Sequence, residues 1–311
     1  MSAGDGAAAY EEAERALLRS EGVEAAVEHV DLPRLGGRLR VLLVGEGPLV
    51  LFVPGVMTTG AVFAGLVGRL SGFRCVLVDR PGTGSSSPVA NPPTTLTAQQ
   101  AVADALLVDV LDGLDADTAS VVATSLGGWY AFRSAAAHPE RFERIAGLGF
   151  QGGARIAAAP LALRFPTPGW LVPPRLPATR KMVRSLLRQA GMGAAIRSGA
   201  VSDELLDWMV ALLRHTSTFR NESRHNPRPI GLRGPVAAVR HSPELLGRIS
   251  APVLLAWGTD DPFGGADAAR ELASLLPSAT VELIEGAGHA PWLDAPDRVA
   301  AAVQHHLADP G

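Results

Sequence analysis

Short runs of aliphatic residues, each about the length of one β-strand, recur along this chain and alternate with segments of helical periodicity. Most of these runs are nearly continuous in apolar character, which is typical of parallel strands that helices cover on both faces. The predicted strands are Leu39–Val44, Leu49–Pro54, Cys75–Asp79, Ser120–Thr124, Arg144–Gly149, Val253–Trp257 and Thr280–Ile284. The alternation therefore predicts an α/β fold with an open, mostly parallel sheet and helices on both faces.

The segments between these strands carry apolar residues at helical spacing. The clearest helices are predicted at Thr97–Asp112, Leu126–His138, Gly265–Leu276 and Ala295–Leu307. The first of them opens on Thr97-x-x-Gln100, which has the form of a capping box. Because ligand sites in open α/β sheets lie beyond the carboxyl ends of the strands, we expect the functional site at that edge.

One long segment, residues 151–250, contains no convincing strand. Prolines punctuate its first part, and two amphipathic helices are predicted after them, at about Thr179–Ala190 and Ser202–His215. Ser202 is the predicted N-cap of the second helix. Since insertions of this length usually serve a function, we interpret the segment as a helical lid inserted before the last two strands. The alternative is a helical layer that only packs.

The rest of the chain divides around this segment. Residues 25–150 and 251–311 are predicted to form the α/β core, and residues 1–24 an N-terminal extension with a helix. The beginning of that extension, residues 1–10, is rich in alanine and glycine and is expected to be disordered.

Composition excludes several classes of protein. The 311 residues are 47% apolar, which is enough to build a core without disulfides, and Cys75 is the single cysteine. A net charge of −3 argues against a nucleic-acid binder. No apolar run reaches the ~18 residues of a membrane span. The N-terminus lacks a basic segment followed by an apolar one, so no signal peptide is expected and we predict a soluble, cytoplasmic protein.

A serine stands where a predicted strand meets a predicted helix. Ser120–Thr124 runs directly into Ser125, the strand–turn–helix context of a nucleophile elbow. The small residues Ala123 and Gly127 allow neighbouring backbone to pass close by. The helix N-terminus favours developing negative charge, and the Leu126 N–H would point into the site. Taken alone, a serine before a helix is more often an N-cap than a nucleophile.

Carboxylates and a histidine follow the last two predicted strands. Asp260 and Asp261 come just after Val253–Trp257, and His289 comes just after Thr280–Ile284. Taken singly, the aspartates fit a turn or a helix cap, and the histidine fits an ordinary loop. A serine, an aspartate and a histidine in this order, each at the carboxyl end of a strand, predict a catalytic triad.

Together these features resemble the α/β-hydrolase fold superfamily, in its lidded branch of serine esterases, haloperoxidase-like and epoxide-hydrolase-like proteins. The resemblance spans roughly residues 28–308. Its marks are the segments Val53–Val56, Asp79–Ser85 and Gly258–Pro262, the turn at Ser125, and Gly286–His289.

The resemblance implies a role for each matching residue. Ser125 is the expected nucleophile, His289 the expected base, and Asp261 the expected acid, with Asp260 as the fallback. The backbone N–H groups of Val56 and Leu126 are the expected oxyanion hole, with Met57 as the next choice for the first of them. No metal or cofactor is implied.

Three positions bear on how closely the chain follows the family pattern. Pro54 stands where members usually carry a histidine, so the loop lacks a side chain able to brace it by hydrogen bonds. Proline removes only its own N–H, so the donor at Val56 survives. Ala123 replaces a usual glycine and is tolerated on size. Some members hold the acid after the preceding strand, where this chain has Gln151 and offers no carboxylate.

A serine at position 125 argues against epoxide hydrolases and dehalogenases of this fold, which attack with aspartate. The resemblance implies that Ser125 attacks an acyl carbon while His289 takes its proton, and that water then hydrolyses the acyl-enzyme. We therefore predict a serine hydrolase for an ester, lactone or thioester of a small, largely apolar molecule. The alternatives are a non-hydrolytic enzyme of this fold (a C–C lyase, haloperoxidase, perhydrolase or biosynthetic cyclase) and a catalytically weak ligand-binding protein.

The substrate pocket is the least constrained feature. Met57, Trp129, Trp208 and Trp292 are its candidate lining, although each also fits core or lid packing. Arg80 is expected to form a loop salt bridge or to be solvated, not to meet an anionic substrate. The expected partner is a small-molecule substrate, with no nucleic acid and no membrane, and a homodimer stays open.

Overall fold

The computed structural model describes residues 3–156, 175–227, 230–231 and 234–309. Its strands are β1 (Ala26–Asp31), β2 (Arg38–Val44), β3 (Leu49–Val53), β4 (Arg74–Val78), β5 (Ala119–Ser125), β6 (Phe142–Gln151), β7 (Ile230–Gly231), β8 (Gly234–Pro235), β9 (Val253–Gly258) and β10 (Ala279–Ile284). Eight of them form one sheet in the order β1-β2-β4-β3-β5-β6-β9-β10, and β7 pairs with β8.

The sheet has the predicted α/β character. β2 runs antiparallel to both of its neighbours, and every other pairing in the sheet is parallel. The strands predicted from apolar runs are confirmed, and each lies within a few residues of its expected bounds. The sequence analysis missed β1, because Val30 is its single buried residue and this edge strand has no apolar run.

Helices cover both faces of the sheet, as predicted. They are α1 (Ala3–Ser20), α2 (Ala64–Val67), α3 (Leu96–Gly113), α4 (Leu126–Ala137), α5 (Arg180–Gln189), α6 (Gly193–Ser198), α7 (Asp203–His215), α8 (Thr218–His225), α9 (Pro243–Leu246), α10 (Ala266–Ser274), α11 (Pro291–Asp294) and α12 (Pro296–Ala308). One apolar cluster joins a sheet face to α1, α2, α7 and α12, and the other joins the opposite face to α3, α4, α9 and α10. None of the described helices has the length and apolar character needed to cross a membrane.

The start of α3 differs from its predicted capping box. Thr95 is the N-cap: its backbone is extended, and its hydroxyl accepts a hydrogen bond from the Ala98 N–H at 3.2 Å. Thr97 lies inside the helix, and the Gln100 side chain donates to the Ala238 carbonyl instead. The capping-box prediction is therefore wrong, because the threonine two positions earlier satisfies the free N–H groups of the first turn.

The chain between β6 and β9, which we call the insertion, is mainly helical in its described part. Its predicted helices are present as α5 and α7, and the hydroxyls of Thr179 and Ser202 cap them by accepting from N–H groups of the first turn. Residues 157–174, which carry five of the prolines in its first part, lie outside the described residues. The short pair β7–β8 also belongs to the insertion, where the sequence predicts no strand.

Residues 3–10 are helical where the sequence predicts disorder. Helix α1 starts at Ala3 and packs against α7 of the insertion. Tyr10 is completely buried, its hydroxyl donates to Glu14 at 2.8 Å, and the same oxygen lies 3.1 Å from the Thr59 hydroxyl. The predicted disorder is therefore wrong for residues 3–10, because this tyrosine anchors the helix to the core.

A buried cluster of charged groups ties α1 to the sheet. Arg40 on β2 donates to the carboxylates of Glu14 and Asp79, and all three side chains are buried. The Gly60 N–H donates a further hydrogen bond to Asp79 at 3.2 Å. Two carboxylates thus share one guanidinium group. Burial, followed by the negative charge of Glu14, raises the pKa of Asp79 to about 7.

This raised pKa predicts a pH-dependent contribution to stability. Between about pH 4 and pH 7 the native state holds a proton on Asp79 that the unfolded chain has lost, so the contribution of this group falls as pH rises. Asp79→Asn removes the titration. The free energy of unfolding in urea is measured at pH 5 and pH 8 for both proteins. From pH 5 to pH 8, we expect that of wild type to fall relative to that of Asp79→Asn. Asp31→Asn, at an exposed carboxylate of β1, is the matched control. If the free energies of unfolding of wild type and Asp79→Asn differed by the same amount at both pH values, the assignment would be contradicted.

Candidate active site

Ser125 occupies a strained turn between β5 and α4. Its backbone has φ 53° and ψ −123°, a conformation that side-chain-bearing residues rarely adopt and that costs roughly 1–3 kcal/mol. Gly127 permits the close packing behind the turn, because a Cβ there would lie 2.1 Å from the Val53 carbonyl oxygen. The Ser125 hydroxyl makes no capping hydrogen bond to α4. A serine held in this conformation without a capping role fits a nucleophile better than a helix cap.

The loop after β3 passes directly beside this serine. We call residues 54–57 the 54–57 loop. A Cβ built on Gly55 would lie 2.9 Å from the Ser125 Cβ and 3.4 Å from its Oγ, so only glycine fits at that point. The Met57 N–H donates to the Glu222 carboxylate and is thereby occupied. Of the two N–H groups considered in this loop, Val56 is therefore the better candidate for the oxyanion hole.

The second candidate donor lies at the start of α4. Leu126 is the first residue of that helix, where backbone N–H groups have no partner within the helix. Its side chain is buried in the cluster shared with α3, which fixes the start of the helix beneath Ser125. A developing negative charge at this point would also meet the positive end of the helix dipole.

Asp261 and His289 contact each other at the carboxyl ends of β9 and β10. The His289 Nδ1 lies 2.9 Å from Asp261 Oδ2. The Asp261 carboxylate also accepts from the N–H groups of Phe150, at 2.9 Å, and Phe263, at 3.0 Å. Asp260 is exposed, and its carboxylate accepts from the Thr259 hydroxyl. Of the two candidate acids, Asp261 is thus the one that holds the histidine.

The imidazole of His289 is held by packing as well as by this contact. Its ring meets the Phe263 ring edge-on, with centroids 4.8 Å apart, and lies 6.4 Å from the Phe150 ring. The side chain keeps 12% exposure. Because Nδ1 faces Asp261, Nε2 is the nitrogen left for proton transfer.

The order of the strands brings these groups to one edge. β5, β6, β9 and β10 are consecutive parallel neighbours, so Ser125, Asp261 and His289 all follow carboxyl ends on the same side of the sheet. Gln151 pairs with Ser125 at the end of β6. Its amide nitrogen donates to the carbonyl of Gly149 at 2.9 Å, so the position that holds an acid in some relatives serves here to tie down backbone.

A buried histidine lies against the backbone just after β6. The His241 ring packs against Gly153, and the His241 backbone N–H donates to the Gly153 carbonyl at 3.1 Å. Burial, followed by the charge of Arg133, lowers the pKa of His241 to about 3. The ring is therefore neutral near pH 7 and adds no positive charge to the backbone after β6.

The candidate pocket residues fall into two groups. Trp129 is buried in the cluster shared with α3, and its indole N–H donates to the Val239 carbonyl at 3.1 Å, which matches the packing role. Met57, Trp208 and Trp292 all belong to, or pack against, the opposite cluster, which contains the helices of the insertion. The Trp208 indole N–H is buried without a hydrogen-bond partner among the described residues.

Arg80 and Glu222 were not predicted as a pair. Arg80 forms a salt bridge, and its partner is Glu222 on α8, 142 positions away. The sequence analysis did not single out Glu222. No local pattern marks this glutamate, since its partners lie on loops far from it in the chain.

Known proteins resemble this chain in both sequence and structure. Residues 50–302 match the model of the alpha/beta hydrolase family. A 2-hydroxy-6-oxononadienedioate/2-hydroxy-6-oxononatrienedioate hydrolase of Cupriavidus pinatubonensis is 28% identical over 235 residues, which are 71% of this chain and 72% of that protein. A pimeloyl-[acyl-carrier protein] methyl ester esterase of Chromobacterium violaceum is 30% identical over 280 residues, 86% of this chain and 98% of the esterase.

A solved structure extends the similarity to the whole fold. The carboxylesterase CesB from Bacillus subtilis superimposes with a TM-score of 0.70 at 21% identity, covering 98% of this chain and 99% of its own. At that identity the likeness shows the fold alone. Of the two relatives described above, one is named as a hydrolase and the other as an esterase, each of a different compound.

Proposed function

Because this chain belongs to the alpha/beta hydrolase family, we propose that it is a serine hydrolase of an ester, lactone or thioester bond in a small, largely apolar molecule. The strained turn at Ser125, on the same sheet edge as the Asp261–His289 pair, is the observation that carries this proposal. Strain of this kind persists only where surrounding structure enforces it, and it clusters at functional sites. The esterase from Chromobacterium violaceum supports the choice of an ester.

In the proposed acylation step, the Ser125 oxygen attacks the acyl carbon while His289 Nε2 takes the hydroxyl proton. Asp261 keeps the imidazole in the tautomer with its proton on Nδ1 and stabilises the imidazolium that forms. The N–H groups of Val56 and Leu126 donate to the oxyanion. The tetrahedral intermediate then expels the alcohol or thiol, which receives the proton from His289, and an acyl-enzyme remains.

Deacylation repeats these roles with water as the nucleophile. His289 removes a proton from water, the resulting hydroxide adds to the acyl carbon, and the same oxyanion donors act again. Collapse of the second intermediate releases the carboxylic acid and returns the proton to Ser125. Each proton removed is given back within one turnover, so the described groups complete the reaction.

The side chains on the insertion side support an apolar substrate. Met57, Trp208 and Trp292 share one apolar cluster that includes α7 of the insertion. Arg80, which donates to the carbonyls of Pro54 and Gly55, is paired with Glu222 and is not available to bind a substrate carboxylate. We propose that the insertion forms a lid over this surface.

A second candidate is hydrolysis of a carbon–carbon bond beside a ketone. The hydrolase from Cupriavidus pinatubonensis, named for an oxo-dienedioate, favours it. Such a diacid carries two carboxylates, and the engaged state of Arg80 weighs against that substrate in this chain. The same triad serves both reactions, so the substrate decides between them.

A substrate panel tests the proposal. We expect purified protein to hydrolyse nitrophenyl esters, lactones or acyl thioesters, with a preference among acyl chains from acetyl to dodecanoyl. The panel includes a 2-hydroxy-6-oxo-dienoate, whose cleavage is monitored by the decrease in its absorbance. Cleavage of this compound without cleavage of any ester would favour the second candidate. Ligand-induced thermal stabilisation without any turnover would favour a binding protein instead.

A further inference from the structure

We propose that Arg80 and Glu222 are positioning residues that set the 54–57 loop for oxyanion binding, and that the insertion thereby controls the geometry of the catalytic site. This role depends on the proposed function, because the Val56 N–H matters only if Ser125 attacks an acyl group. Neither residue touches the reacting atoms, and each acts through the backbone of the loop.

Arg80 holds the loop through two of its carbonyl groups. Its Nε donates to the Pro54 carbonyl at 2.9 Å, and its Nη2 donates to the Gly55 carbonyl at 2.7 Å. The guanidinium group is buried, with 1% exposure. Pro54 cannot donate a backbone hydrogen bond, and no histidine precedes Gly55 to brace the loop. Arg80 thus supplies two of the hydrogen bonds that hold this stretch of backbone, and the Thr58 hydroxyl adds a third to the Gly55 carbonyl at 3.0 Å.

Glu222 holds the next residue of the same loop. One carboxylate oxygen accepts from Arg80 Nη2, and the other accepts from the Met57 N–H. Met57 has φ 59°, a left-handed conformation that a residue with a side chain adopts only when its surroundings enforce it. The bond from its N–H to a buried carboxylate is such an enforcement. Arg80 and Glu222 therefore fix the backbone on both sides of Val56.

The contact is part of a broader docking of α8. Thr218, Asn221 and Glu222 are spaced three and four positions apart, so they share one face of the helix. The Gly84 N–H donates to the Thr218 hydroxyl at 2.9 Å, and the Asn221 amide donates to the Gly82 carbonyl at 2.8 Å. One face of α8 is thus hydrogen-bonded to the loop after β4, and Glu222 on the same face contacts the 54–57 loop.

This arrangement makes the oxyanion geometry depend on where α8 sits. If α8 moved away, Glu222 would lose its contacts with both Met57 and Arg80, and the left-handed backbone at Met57 would lose its support. The donor at Val56 is adjacent in the chain and would shift with it. Displacing one oxyanion donor costs enzymes about 10²–10³ in rate, so a partial shift is expected to cost at least about tenfold.

The first test compares Glu222→Gln and Glu222→Ala with wild type. We expect both to lower the rate constant for labelling by a fluorophosphonate probe, and kcat for an ester, by at least about tenfold with KM little changed. Glu204→Gln, at an exposed carboxylate on α7 of the insertion, is the matched control and is expected to match wild type.

Removing one partner of a buried ion pair also destabilises the protein, so a second variant separates the two effects. The double variant Arg80→Met/Glu222→Leu removes both charges, and replacing a buried pair by apolar side chains is often neutral or stabilising. We expect its thermal midpoint to recover toward wild type while labelling and kcat stay low. Recovery of activity together with stability would show a structural role only and would overturn the positioning role.

The outcomes also distinguish this role from the proposed function. If wild type is not labelled at Ser125, the proposed function is wrong, and the positioning role, which depends on it, is wrong as well. If wild type is labelled and folded Glu222→Ala is labelled at the same rate, the positioning role alone is wrong.

Discussion

Replacing Ser125 with alanine is expected to lower kcat for the best ester of the panel by at least about 10⁴-fold. Without the hydroxyl no acyl-enzyme forms, and only transition-state binding by the oxyanion donors remains. The substitution removes one oxygen and retains the Cβ. The fold should therefore be unchanged, and circular dichroism together with thermal unfolding checks this. Residual activity within about tenfold of wild type would show that another group attacks the substrate.

A second substitution at the same position separates catalysis from strain. Ser125→Gly also lacks the nucleophile, but glycine adopts φ 53° and ψ −123° without the steric cost that alanine and serine meet. The relief of roughly 1–3 kcal/mol outweighs the entropy that glycine adds to the unfolded chain, roughly 0.5–1 kcal/mol. We expect Ser125→Gly to be inactive and about 1 kcal/mol more stable than Ser125→Ala in urea unfolding. A glycine variant no more stable than the alanine variant would mean that the turn is not strained.

Asp261→Asn is expected to lower kcat by about 10³–10⁴-fold, because an amide in that place favours the wrong imidazole tautomer and cannot stabilise the imidazolium. The neighbouring Asp260 provides a matched control. Its carboxylate accepts from the Thr259 hydroxyl and is exposed, whereas that of Asp261 faces His289. Asp260→Asn should therefore stay within about twofold of wild type.

The two asparagine variants decide which aspartate is the acid of the triad. Steady-state kinetics on the same ester, with thermal unfolding of both proteins, provides the comparison. A large loss in Asp260→Asn with little effect in Asp261→Asn would reverse the assignment. Equal, small effects would remove the acid from the mechanism altogether.

Apolar runs were sufficient to predict seven strands of the eight-stranded sheet and failed at β1, one of its two edge strands. β3, β5 and β9 are covered on both faces, so nearly every residue in them is buried and the sequence shows it. β1 pairs only with β2, and Val30 is its one buried residue. An edge strand that is almost wholly exposed has neither an apolar run nor a clear alternation to identify it.

The N-terminal helix shows how tertiary contacts override composition. Alanine and glycine at residues 1–10 suggest disorder, yet Tyr10 and Glu14 insert into a buried cluster with Arg40 and Asp79. The partners of α1 lie on β2 and after β4, well separated in the chain. No local pattern could have indicated them.

In the candidate site, too, the residues marked by a local pattern were predictable, and those held by distant contacts were not. Ser125, Asp261 and His289 were predictable because each follows a strand end and their chain order is typical of the family. The family pattern already favours Asp261 over Asp260, and the contact between Asp261 and His289 supports that choice. The brace of the 54–57 loop was not predictable: Pro54 showed that a histidine was missing, but its replacement pairs Arg80 with a glutamate of the insertion.

Labelling with a fluorophosphonate probe, followed by peptide mass spectrometry, tests the central proposal most directly. The probe needs a working nucleophile, base and oxyanion hole, and it needs little fit to the natural substrate. We expect wild type to be labelled on the peptide that contains Ser125, and Ser125→Ala not to be labelled. A folded wild-type protein that takes no label, or takes it on another residue, would contradict the proposed serine hydrolase.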